Sequence, residues 1–134
     1  MPKKIKQHSE RISVIKSDGI AFCKNNDQRE YLYQKLKKKL LAGNVLLAAH
    51  YYTDATIQKL AQETGGIVAD SLDIASYCAK SSVKNIIVSG VYFMGETVKI
   101  LNPDKRVFMP TLEATCSLDL GCPAKEYIEL RNKH

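Results

Sequence analysis

Val45-Leu46-Leu47-Ala48-Ala49-His50 is an unbroken apolar run that stops at an imidazole. Three further runs end in the same manner: Ile67-Val68-Ala69 at Asp70-Ser71, Ile86-Ile87-Val88 at Ser89-Gly90, and Val107-Phe108-Met109 a few residues before Cys116. Each is of strand length and nearly continuous rather than alternating, the pattern of strands buried on both faces of a parallel sheet. Helix-length amphipathic segments separate them, so strand and helix alternate along the chain. This predicts an α/β fold of three layers, α/β/α, around a mainly four-stranded parallel sheet. Right-handed crossovers bring all four run ends to one rim, and ligands of open α/β sheets bind outside that carboxyl rim. His50, Ser71 and Cys116 are therefore predicted to share one edge of the molecule.

The helices are bounded by their punctuation. Asp27 is placed to cap a first helix through the stripe Leu32, Leu36, Leu40, which Gly43-Asn44 ends. Asp54 can cap a second helix with Ile57, Leu60 and Ala61 inward, closed by Gly65-Gly66. Ser71 opens a third, whose apolar side is read as Leu72, Ala75, Cys78 and Ala79, and Ser81-Ser82 breaks it. A fourth, from about Phe93 to Leu101, aligns Met94, Val98 and Leu101 and stops at Asn102-Pro103. Glu113 to Pro123 reads as a loop, with Pro123 the first residue of a last helix. Residues 1–27 lack sustained periodicity and read as an N-terminal extension, mobile or wrapped on an edge; residues 28–134 form one α/β domain. A chain of 134 residues has room for about one good core.

Charge does not point to nucleic acid. The net charge is +6, but residues 1–43 hold eleven Lys/Arg against four Asp/Glu, and residues 44–134 hold nine against ten. The excess belongs to the leading segment, chiefly Lys35, Lys37, Lys38 and Lys39, a solvated helix face without the aromatic interleaving of a nucleic-acid surface. No apolar run approaches the ~20 residues of a membrane span, and Met1-Pro2-Lys3-Lys4 leads into polar residues rather than a leader core. A cytoplasmic protein without nucleic-acid or membrane partners is the expectation.

Several rim residues have two readings. His50 is either a structural histidine bonded to backbone or, with Tyr51 and Tyr52 beside it, a proton-transfer or binding group for a small polar substrate. Ser71 is either a plain N-cap or the hydroxyl of a helix start whose free amides receive a carboxylate or phosphate. Asp70 either competes for the cap or orients His50. Cys78 reads as a small buried hydrophobe, and Cys23 carries no signal. Cys116 and Cys122 alone make a weak metal signature, since structural zinc and iron-sulfur sites need three or four ligands.

Four segments together, Ala49-His50-Tyr51-Tyr52, Ala69-Asp70-Ser71-Leu72, Gly90 to Pro103 with its Phe93-Met94-Gly95-Glu96-Thr97 centre, and Thr115 to Pro123, closely resemble the bacterial quinolinate synthase family, in order from roughly residue 28 to 130. The resemblance implies the first of that family's three similar α/β domains, with the second and third absent and the chain truncated. It implies a transferase that condenses iminoaspartate with dihydroxyacetone phosphate to quinolinate, the pyridine precursor of NAD, with L-aspartate oxidase as the upstream enzyme. It further implies a 4Fe-4S cluster held by one cysteine from each domain, Cys116 being the first-domain ligand. By the same match His50 and Ser71 are substrate contacts, Tyr52 and His50 catalytic residues, and Cys122 not a ligand. One cysteine cannot hold a cubane cluster, so this chain alone is expected to be inactive without the missing domains or a complementary chain. The alternative is a non-catalytic, small-anion-binding α/β module, a relic or split subunit.

Overall fold

β2 (Val45–His50) lies between neighbours on both sides and is buried almost throughout, because its alternate residues feed two different cores. Leu46 and Ala48 face one layer, whereas Leu47 and Ala49 face the other. A computed structural model describes residues 12–14 and 25–134. In chain order the elements are β1 (Ile12–Val14), α1 (Asn26–Ala42), β2, α2 (Ala55–Glu63), β3 (Ile67–Ala69), α3 (Ser71–Lys80), β4 (Asn85–Ser89), α4 (Tyr92–Leu101), β5 (Arg106–Met109), α5 (Ser117–Leu120) and α6 (Ala124–Lys133). The sheet runs β1-β5-β4-β2-β3, and every described pairing is parallel.

The fold is the three-layer α/β arrangement expected, with one correction: the sheet has five strands, not mainly four. The fifth is β1, at the edge of the sheet and inside the stretch read as an extension either mobile or wrapped on an edge. It pairs with β5 in the register Ile12↔Val107 to Val14↔Met109 and buries Ile12 in the main core. Three residues are too few to show a period, so pairing rather than pattern makes this a strand.

One face of the sheet packs on α3 and α4. Ile74 and Cys78 from α3, and Met94 and Val98 from α4, meet Leu46, Ala48, Ile86, Val88, Val107 and Met109. Each fully buried Ile or Val here contributes about 2 kcal/mol by leaving water. α3 is turned relative to the expected stripe: Ile74, Ala75 and Cys78 are inward, while Leu72 and Ala79 are exposed. Leu101 likewise faces solvent, and α4 instead buries Gly95 against Met109.

α1 and α2 cover the opposite face over β2 and β3. Tyr33 and Leu40 of α1 join Leu60 and Ala61 of α2 around Leu47 and Ala49. Leu32 and Leu36 are exposed, so α1 rests on its Tyr33–Leu40 edge rather than on the expected leucine stripe. Tyr33 donates to the Glu63 carboxylate, which Lys37 also meets at 2.9 Å, so one acid on α2 ties down α1. Burial first and then this hydrogen bond push the Tyr33 phenol up to about 12. Asn25, not Asp27, caps α1 by accepting from Gln28 N. Asp54 caps α2 as expected.

Candidate functional site

The carboxyl ends of β2, β3, β4 and β5 surround one cleft of about 740 Å³. His50, Tyr52, Ser71 and Cys116 all line it, so the right-handed winding brings together the four residues singled out from the sequence. The lining adds Ser89, Gly90, Thr111, Thr115 and Ser117, to which the sequence reading gave no role, although all but Thr111 sit within the segments quoted above. None of the described residues that line it is a lysine or arginine. Cys122 is exposed and outside the lining, Cys78 is buried under α3, and Cys23 lies outside the described residues.

His50 ends β2 and is buried, 7% exposed as a residue. Tyr52 N donates to His50 Nδ1 at 3.2 Å. The Tyr51 ring stacks on the imidazole at 4.4 Å and 26°, and the Tyr52 ring meets it edge-on at 4.8 Å. Burial lowers the His50 pKa below its ordinary 6.5, and the nearby Asp70 carboxylate partly opposes that shift. The imidazole is therefore neutral at physiological pH. Tyr52 is 83% exposed, its phenol standing at the cleft mouth. Tyr51 is held as the neutral phenol by its contact with Tyr52, which raises its pKa.

Asp70 is the cap of α3. Its carboxylate accepts from Leu72 N and Asp73 N, both at 2.9 Å. The helix start beside Ser71 therefore already holds an anion, its own, and two amides that an outside carboxylate would use are taken. What Ser71 offers the cleft is its hydroxyl.

Cys116 occupies the cap position of α5, one helical turn within the segment read as loop. Ala114 O accepts from Tyr92 N at 2.7 Å, which moors the segment just before the thiol to the first residue of α4. The thiol is half-buried and lines the cleft. Among the described residues no three His, Cys, Asp or Glu side chains converge to hold a metal ion, so this chain by itself offers at most single ligands. Cys78 is buried in the core on α3 and does not line the cleft, and burial pushes its thiol up to about 11.

A parallel sheet whose carboxyl rim gathers an imidazole, a phenol, hydroxyls and a thiol around one cleft is an α/β domain with its cleft where open sheets take small-molecule ligands. Residues 33–134 match the family described as Quinolinate synthetase A protein (NadA), and the chain belongs to that family. The matched stretch contains every residue lining the cleft and leaves out β1. No helix among the described residues is long and apolar enough to cross a membrane.

Proposed function

We propose that this chain forms one wall of a quinolinate synthase active site, a transferase site in the de novo synthesis of NAD where iminoaspartate and dihydroxyacetone phosphate condense. The convergence of His50, Tyr52, Ser71 and Cys116 on a single cleft carries this reading. Neutral His50 hydrogen-bonds a substrate oxygen, Tyr52 at the mouth moves a proton to or from the substrate, and the Ser71 hydroxyl donates to a carboxylate or phosphate. Cys116 supplies one ligand to a 4Fe-4S cluster. When bound, such a cluster offers a Lewis-acidic iron that polarises a departing hydroxyl.

Both substrates are anionic, yet among the described residues this wall carries no lysine or arginine, and its best helix start is closed by Asp70. The remaining positive potential and the other cluster ligands are supplied by further domains or a complementary chain. The same two observations argue against a free-standing anion-binding module. The setting proposed is the cytoplasm, with L-aspartate oxidase as the source of the imine and with neither nucleic acid nor membrane as partner.

The test is anaerobic iron and sulfide analysis together with a quinolinate assay on the purified chain, repeated with a polypeptide carrying the family's remaining domains. The chain alone should hold no stoichiometric cluster and show no turnover. Complementation should restore both, and Cys116→Ala should abolish both without lowering the melting temperature. Turnover by the isolated chain, or an intact cluster in the complemented Cys116→Ala protein, would overturn the assignment.

A further inference from the structure

The turn that carries the imidazole is tied down from several directions. Gln58, on α2, donates from Nε2 to Tyr51 O at 2.9 Å and to Thr53 O at 2.8 Å, so its amide group is spent on this turn. Thr53 returns two bonds to His50 O, from N at 2.9 Å and from Oγ1 at 2.7 Å. Tyr51 N donates across to Ala69 O of β3 at 3.2 Å. Tyr52 N is thereby fixed where it reaches His50 Nδ1.

A backbone N–H only donates, so Nδ1 must present its lone pair, and the single proton of the neutral ring sits on Nε2. Stacking on Tyr51 sets the plane of the ring, which lines the cleft. We propose that Gln58 is a positioning residue which, through the 51–53 turn, holds His50 in the Nε2–H form as a hydrogen-bond donor to a carboxylate or carbonyl oxygen in the cleft. What the donor meets rests on the substrate reading given above; the tautomer is a property of this chain by itself. A ring so held does not offer Nε2 as a base. Proton transfer at this wall then falls to other groups that line the cleft, the Tyr52 phenol as a donor and the Asp54 carboxylate as an acceptor.

The experiment is long-range proton–nitrogen NMR of the 15N-labelled chain at neutral pH, with the His50 ring identified by its loss in His50→Gln. His50 should show two well-separated ring-nitrogen resonances, with Nε2 protonated and Nδ1 not. Gln58→Ala, and the isosteric Gln58→Glu that has no N–H to give, should both shrink that separation as the Nδ1–H form becomes populated, while each keeps a cooperative melting transition. An Nδ1–H pattern in the unsubstituted chain overturns the proposal, as does an unchanged His50 pattern in both variants. Titration with dihydroxyacetone phosphate separates the two readings. A fixed tautomer whose Nε2–H resonance does not respond, in the chain alone or complemented, sinks the substrate reading and leaves the positioning role standing.

Discussion

At the residue scale, the cleft is built from side chains that stand at or just past the ends of separate strands. His50, Ser71 and Cys116 reach one cleft because strand ends are fixed by topology, which the alternation of runs and helices displays. Asp70 shows the other side. Sequence alone leaves Asp70 and Ser71 as rival caps, and in the fold it is the Asp70 carboxylate that accepts from the two amides. With Asp70 rather than Ser71 as cap, α3 presents Ile74, Ala75 and Cys78 inward and leaves Leu72 in solvent. His50 also carries a pH prediction. Its folded pKa lies below the ordinary 6.5, chiefly through burial, so the unfolded chain binds the proton more readily. The His50 contribution to stability is therefore fully kept above pH 6.5 and declines as the pH falls from there toward the folded pKa. Urea unfolding of the chain across pH 5 to 7.5 should show this decline, and His50→Gln should flatten it relative to the parent.

At the element scale, strands and helices with strong punctuation were legible and weakly patterned ones were not. Asp54 and Gly65-Gly66 bound α2 as expected, because an acid cap and a glycine pair have few other uses. Gly65 takes a positive φ of 74°, and a Cβ on Gly66 would stand 2.0 Å from Leu47 O, so the pair both turns the chain and lets it pass over β2. Gly66→Ala should cost about 2–3 kcal/mol, since backbone must move to admit the methyl. Chemical denaturation measures it, and a loss below the experimental error would contradict the close approach. α1 was misjudged in its face because Leu32, Leu36 and Leu40 satisfy the spacing rule, while the Tyr33 hydroxyl finds Glu63 on another element altogether. Spacing carries no knowledge of a partner thirty positions away. α5 is a single turn with no buried residue, below what a periodic pattern can reveal.

At the scale of the whole molecule, packing is uneven. α6 buries no side chain, and Leu118, Leu120, Tyr127, Ile128 and Leu130 are all exposed. Such an apolar surface is expected where another polypeptide docks. It also means that α6 adds little to the stability of the chain by itself. Removing residues 122–134 should change the unfolding free energy by no more than about 0.5 kcal/mol, read by denaturant titration; a larger loss would show that the helix is held by contacts not seen here. On the face opposite α3 and α4, the described residues cover β2 and β3 but leave a trough of about 330 Å³ at Val45, Asn85, Ile87, Arg106 and Phe108. This explains why β4 alternates between full and partial burial although its sequence is uniformly apolar at Ile86, Ile87 and Val88.

The pairing of Ile12 to Val14 with Val107 to Met109 gives the first strand a protective duty. A shortened chain beginning at residue 25 would still contain the whole family-matched stretch, and with it the cleft. It would also present the main-chain donors and acceptors of β5 to solvent as an open ribbon, an invitation to pair with a neighbouring molecule. Trimming this protein to its matched region would thus bare an edge open to strand pairing, and residues 12–14 are the short guard rail to retain.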